Sequence, residues 1–273
     1  MQIWCNEQWY DLENAPSSLL DRGSILGLGL FETLLACDGR PVFLERHLAR
    51  LQSACNRLNW QISYPEFSKI IPALLAKNHL TLGPARLRIT VTAGSGPLND
   101  IQLGTDWKIW MSAQPLSQTP ASVTALLSPW PRNENSPLVG LKCASYAENL
   151  LALDHARRLG FAETLFLNTA GHLCEAATAN LFLVKKGVLF TPSLASGCLP
   201  GIAREMILEI ANHHRIEARE CILTQEDLAN ADEVFTTSSI RGVQTISKVA
   251  DQSFQAAAIT SRLREFWIVE ASN

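Results

Sequence analysis

No uninterrupted apolar run in this 273-residue sequence reaches the length of a bilayer. The opening MQIWCNEQWYD is not a signal peptide. Neither a membrane span nor a secretory leader is expected. A basic surplus is also missing: 23 Lys and Arg stand against 26 Asp and Glu, a net charge of −3. With no excess cation to neutralise phosphates, a general nucleic-acid binder is excluded. The seven cysteines, at 5, 37, 55, 143, 174, 198 and 221, contain no C-x-x-C pair, so no metal site is expected. Their scatter suits reduced thiols in a cytoplasmic protein. There is no G-x-S-x-G elbow, and no histidine stands in a context that suggests a Ser/His/Asp hydrolase. GLGLFE departs from G-x-G-x-x-G and precedes a strand rather than a helix, which argues against a dinucleotide site.

What is present is an ordinary globular balance, 47% hydrophobic and 18% charged, in a chain long enough for one large or two medium domains. Residues 30–37 read as a strand, and Asp38-Gly39 as the hairpin turn that follows it. Leu44, Leu48, Leu51, Cys55 and Leu58 form one apolar helical stripe, with His47, Arg50 and Arg57 on a neighbouring face. A second helix is expected over residues 66–78, and strands over 86–93 and 107–113. QPLSQTP, residues 114–120, reads as a linker between a domain at 1–115 and another at 121–273. Beyond it, strands are expected at 123–127, 163–168, 180–184, 188–191, 216–222 and 232–237. Helices are expected after residue 145, after Gly201, at TQEDLANA with Thr224 as cap and Asp227 at the third position, and near 257–269. Hairpins in both halves with helices between them predict an α+β or mixed α/β fold in two domains.

Chemistry concentrates in a few places. Glu175 sits among small residues, and if buried it needs a cationic partner. Pro200 and Gly201 open a helix with apolar residues at Ile202, Met206 and Ile210. A glycine-preceded helix N-terminus offers free N–H groups and a positive dipole end to an anion. Lys142 lies between a loop and a helix in apolar surroundings, where desolvation would make it nucleophilic. Arg50 could hold a carboxylate or a phosphate in bidentate fashion, and the hydroxyls of Ser238 and Ser239 could add phosphate contacts at a strand end. Each taken singly has a plain structural reading. Together, a lysine for an aldehyde, an acid for a pyridine nitrogen and an anion cradle suggest pyridoxal phosphate and a small-molecule substrate.

The motifs GLFET at 29–33, RHLARL at 46–51, GLKCASYAENLLA at 140–152, EAATANLFLVKKGVLFTP at 175–192, LPGIAR at 199–204 and ADEVFTTSS at 231–239 cover nearly the whole chain in order. In these the sequence resembles the class IV aminotransferases, the pyridoxal-phosphate enzymes of fold type IV. The resemblance implies a two-domain homodimer with the cofactor at the domain interface. It implies that Lys142 forms the Schiff base and that Glu175 keeps the pyridine nitrogen protonated. Phosphate would be bound by Arg50, the N–H groups of Ile202 and Ala203, Ser238 and Ser239. Where many relatives have Thr, this chain has Ala203, so one side-chain contact is lost. Thr33, after Phe31-Glu32, and the stretch TTSSIRGVQTI are closer to the lyase branch, which releases pyruvate from 4-amino-4-deoxychorismate, than to the aminotransferases. Thr33 would then assist proton transfer. The segment AGSGPLND lacks the arginine of a G-x-R-G motif, leaving Arg86, Arg88 and Arg241 as candidates for the substrate carboxylate.

Overall fold

A computed structural model describes residues 1–273 except 17, 19, 98, 101, 104, 105, 255–257 and 273. The chain divides into two units, Met1–Ser117 with Leu141–Tyr146, and Gln118–Gly140 with Ala147–Asn273.

In the first unit, β1 (Gln2–Cys5), β2 (Gln8–Asp11), α1 (Arg22–Ile25), β3 (Gly29–Cys37), β4 (Arg40–Pro41), α2 (Leu44–Arg57), α3 (Phe67–Lys77), β5 (Pro84–Thr92) and β6 (Lys108–Pro115) follow in order. The six strands form one antiparallel sheet, β2-β1-β6-β5-β3-β4. β3 and β5 pair over nine residues, from Gly29 opposite Thr92 to Cys37 opposite Pro84. Strand alternation puts Leu30, Glu32, Leu34 and Ala36 on one face and Phe31, Thr33 and Leu35 on the other. Leu30, Leu34 and Ala36 join the core with Leu51, Ile71, Leu74 and Leu75 from the two longer helices. Each of these fully buried Leu and Ile side chains contributes about 1.5–3 kcal/mol.

The buried stripe of α2 is rotated from the expected one. His47, Leu51, Ala54 and Cys55 face inward, whereas Leu44 and Leu48 are only partly buried. The cause is a carboxylate on the sheet, Glu32, which draws His47 and Arg50 toward it.

Lys142 belongs with this first unit, which corrects its expected place in the second domain. Phe31 N–H donates to the Lys142 carbonyl at 2.8 Å and Ala144 N–H to the Gly29 carbonyl at 2.7 Å. Residues 141–146 thereby cover the start of β3, on the edge that β4 reaches only at Ala36 and Cys37. The next helix begins five residues after the lysine, at Ala147, so Lys142 does not stand on a helix N-terminus.

In the second unit come β7 (Ser122–Leu127), α4 (Ala147–Arg158), β8 (Glu163–Leu167), β9 (Leu173–Ala176), β10 (Asn180–Lys185), β11 (Val188–Pro192), α5 (Ile202–His213), β12 (Ala218–Cys221), α6 (Gln225–Ala229), β13 (Glu233–Ser238), β14 (Gly242–Val249), β15 (Gln252–Ser253) and α7 (Ala258–Ser272). Their order is β12-β11-β10-β13-β14-β7-β8-β9, with β15 against β14. β9 returns to β10 where Glu175 pairs with Asn180, so β10, β13, β14, β7, β8 and β9 close on themselves. Ala125, Leu165, Leu181, Val234 and Ile246 fill the interior. The capping box on α6 is present, with Thr224 Oγ1 accepting from Asp227 N–H and the Asp227 carboxylate accepting from Thr224 N–H. The expected start of α7 at residue 257 lies outside the described residues.

The strands not expected from the sequence include β14 and β9. β14 is central, between β13 and β7, yet its sequence GVQTISKV buries Gln244 and Thr245 as well as Val243 and Ile246. Gln244 is satisfied by donating to the Pro120 carbonyl at 2.7 Å, so polar residues break the period-two pattern without breaking the strand. β9, the strand that carries Glu175, is four residues long and buried on both faces.

Candidate active site

In the first unit, the residues following β3's partner edge build a cationic and aromatic cluster. Lys142 Nζ lies 4.5 Å from the centre of the Phe31 ring and 5.5 Å from that of Tyr146. The two rings meet edge to face, 5.5 Å apart at 81°, a favoured geometry for aromatic pairs. The Arg88 guanidinium stacks over Phe31 at 3.9 Å, and its Nε donates to Thr90 Oγ1 at 3.2 Å. One ring thus gathers two cations on its electron-rich surface. Burial pushes the Arg88 pKa down from its ordinary value, as loss of hydration disfavours the charged form. Among the described residues Arg88 has no carboxylate within ion-pair distance. Thr33 pairs with Arg88 across β3 and β5 and is half-buried on the face that carries Phe31.

On the opposite face, Glu32 is buried. Its Oε1 accepts from Arg50 Nε at 2.8 Å and its Oε2 from Arg50 Nη2 at 2.6 Å, while His47 Nδ1 lies 2.7 Å from Oε2. Burial alone would raise the Glu32 pKa. The charge and hydrogen bonds of Arg50, with the His47 bond, outweigh it and hold the carboxyl at about 2. Arg50 is therefore anchored through its Nε–Nη2 edge. His47, expected to be unremarkable, is the buried partner of this pair. The sequence signal was its place three residues before Arg50 in RHLARL, which puts both on one helix face.

In the second unit, Glu175 projects from β9 with its Oε2 accepting from Leu199 N–H at 2.9 Å. The cationic partner a buried carboxylate requires is Arg132, whose Nη2 is 3.5 Å from Oε1. Arg132 lies over the Phe166 ring at 4.5 Å, and its Nη1 is shared between Glu148 and Asn149 at 3.3 Å each. The sequence reading named no partner for Glu175. Arg132 stands in a Pro- and Asn-rich loop 43 positions away, with no local pattern to mark it. Two thiols flank the carboxylate. Burial and then the charge of Glu175 push Cys174 up, and the same two causes push Cys198 to about 11. Both stay protonated near neutral pH.

The predicted anion cradle lies in the same unit. α5 is twelve residues long and is capped by Gly201, which has no side chain of its own to bond the N-terminal groups. A Cβ at residue 201 would fall 2.0 Å from Asn180 Oδ1, so only glycine lets the backbone approach. Asn180 donates from Nδ2 to the Leu199 carbonyl at 2.8 Å and pairs with Thr237 in the sheet. It therefore ties the opening of α5 to the end of β13. The Oγ1 atoms of Thr236 and Thr237 are buried without a hydrogen-bond partner among the described residues. Ser238 Oγ accepts from Arg241 N–H at 3.2 Å, and Ser239 lies in the turn that follows β13. Arg241 reaches Thr178 Oγ1 at 2.7 Å and Glu163 at 3.3 Å, so this candidate for a substrate carboxylate is already paired with an acid. Ile202 and Ala203 form the first turn of α5, where N–H groups point out along the axis. A glycine-led helix start is a donor set that a phosphate satisfies.

A lysine against aromatic rings in one unit, and a buried acid and a glycine-led helix start in the other, are the residue types that pyridoxal phosphate requires. The comparisons with known proteins place the chain further. The sequence profile of amino-transferase class IV matches residues 29–249, and the chain belongs to that family. Its cofactor is pyridoxal 5′-phosphate. It is 30% identical to the branched-chain-amino-acid aminotransferase of Escherichia coli strain K12 over 96% of this chain and 90% of that one. It is 26% identical to the aminodeoxychorismate lyase of Bacillus subtilis over 99% and 95%. A Legionella pneumophila protein, provisionally a 4-amino-4-deoxychorismate lyase, superposes with a TM-score of 0.89 at 26% identity, covering 94% of this chain and 97% of that one.

Proposed function

We propose that this enzyme is an aminodeoxychorismate lyase, converting 4-amino-4-deoxychorismate to 4-aminobenzoate and pyruvate. The observation that carries the reading is the shared face of Phe31, Thr33 and Arg88 next to Lys142. When bound, the cofactor supplies an electron sink for the charge left at the amine-bearing ring carbon. Lys142 would hold the cofactor and would take the proton from that carbon. Glu175, paired with Arg132, would hold the pyridine nitrogen protonated. Arg50, the N–H groups of Ile202 and Ala203, Ser238 and Ser239 bind the phosphate. Arg88, a partly buried cation without a carboxylate, binds a carboxylate of the substrate. Thr33 hands a proton toward the departing enolpyruvyl oxygen. The C–O bond breaks, pyruvate leaves, and the ring becomes aromatic.

A second reading, an aminotransferase for branched-chain or D-amino acids, is favoured by the 30% identity to the Escherichia coli enzyme. Both readings use the same cofactor residues and differ only in the substrate pocket. Purified protein given 4-amino-4-deoxychorismate without any keto acid separates them. Stoichiometric pyruvate and 4-aminobenzoate support the lyase. Silence there, with transfer from a branched-chain or D-amino acid to 2-oxoglutarate, supports the alternative.

We also read the protein as a cytoplasmic homodimer. All seven cysteines are unpaired, which suits a reducing compartment. Leu150, Leu151 and Leu159, on and just after α4, are exposed apolar surface of the kind a second copy covers. Among the described residues no helix is long and apolar enough to cross a membrane.

A further inference from the structure

The His47–Glu32–Arg50 cluster is more elaborate than stapling a helix to a sheet requires. Replacing a buried charged group by apolar packing is often neutral or stabilising, yet here a carboxylate, a guanidinium and an imidazole meet beneath β3. His47 is fully buried, and its Nε2 has no hydrogen-bond partner among the described residues. Leaving a buried polar atom unsatisfied costs stability. What the imidazole does contribute is at its other nitrogen, 2.7 Å from Glu32 Oε2.

That oxygen is the one Arg50 Nη2 also uses, while Nε takes Oε1. The fork keeps its shape only while the carboxylate plane is fixed. A third ligand on Oε2, held by a rigid ring on the same helix three residues away, fixes that plane. The guanidinium's remaining donors, on Nη1 and the outer side of Nη2, are then directed away from Glu32. We propose that His47 is a positioning residue: acting through Glu32, it aims the Arg50 guanidinium at the cofactor phosphate. The inference rests on the reading of Arg50 as a phosphate ligand.

The test compares two ligands that differ only by the phosphate, pyridoxal 5′-phosphate and pyridoxal. Their affinities for the full chain stripped of cofactor are measured by titration of the visible absorbance. His47→Leu removes the donor and should weaken pyridoxal 5′-phosphate roughly tenfold while moving pyridoxal less than about twofold. His47→Asn keeps an N–H near the position of Nδ1 and should restore affinity to within about threefold. His47→Gln moves its N–H to the position of Nε2 and should behave as a loss. The Asn and Gln pair carries the test if the leucine variant does not fold. Because His47 acts through Arg50, the double variant with Arg50→Ala should bind no more weakly than Arg50→Ala alone. Equal losses for both ligands, additive losses in the double variant, or Asn and Gln variants that behave alike would overturn the proposal. If Arg50→Ala abolishes the preference for the phosphorylated ligand and the His47 variants retain it, only the positioning role falls. If Arg50→Ala leaves that preference intact, the phosphate assignment falls and this inference with it.

Discussion

Two buried carboxylates, one in each unit, are held in different ways. Glu32 is gripped by a bidentate arginine at 2.6 and 2.8 Å and by a histidine at 2.7 Å. Glu175 accepts from the Leu199 backbone N–H at 2.9 Å, and Arg132 lies 3.5 Å from its other oxygen. The first is charged because its partners saturate it, and its negative charge is used up in fixing their geometry. At the second the arginine is shared, since Arg132 also answers to Glu148, Asn149 and the Phe166 ring. A tight pair organises structure.

The strongest way to break this contrast is Glu32→Gln. It leaves the Arg50 guanidinium facing a neutral amide in the core, and losing one member of a buried pair costs about 3–5 kcal/mol. Thermal unfolding should shift down accordingly, and a variant as stable as the parent would show that the pair is dispensable. The pH dependence follows from the same group. Its folded pKa, about 2, lies below the ordinary 4.5. Its stabilisation is therefore complete above about pH 4.5 and is lost as pH falls toward 2. Parent stability should decline across that window, and the decline should be shallower in Glu32→Gln.

Glu175→Gln should have the opposite profile, with little change in folding and a large change in rate. Removing one preorganised electrostatic contact typically costs 10²–10³ in rate, about 2.7–4 kcal/mol. Cofactor should still bind and absorb. A variant turning over at the parental rate would place the ring nitrogen's partner elsewhere.

A smaller effect sharpens the comparison on the lysine-bearing face. Thr33→Val keeps shape and strand propensity and removes one hydroxyl. Pyruvate release from 4-amino-4-deoxychorismate should fall about tenfold, 1.4 kcal/mol of barrier, with cofactor affinity unchanged. An unaltered rate would reduce Thr33 to a strand residue.

What the sequence made legible was whatever has a local signature. The capping box at Thr224 and Asp227 spans four residues, and the strand of Phe31 and Thr33 ends at the Asp38-Gly39 turn. Gly201 could be read as a helix opening, although its reason for being glycine, the approach of Asn180, could not. Three features were out of reach. Glu32 sits inside an apolar strand and finds its partners 15 and 18 residues away. Arg132 meets Glu175 only once β9 and the loop before α4 are in place. β14 hides its strand pattern under buried polar residues that are satisfied by distant backbone. The location of Lys142 in the first unit was illegible for a related reason, since its segment is held by hydrogen bonds to Gly29 and Phe31, more than 100 positions earlier.

The most direct measurement is borohydride reduction of the purified protein with its cofactor, followed by mass mapping of the modified peptide. We expect the visible absorbance to vanish and the label to sit on Lys142, with Lys142→Ala folded but unlabelled. Label on any other lysine, or none with the absorbance intact, would contradict the assignment of Lys142.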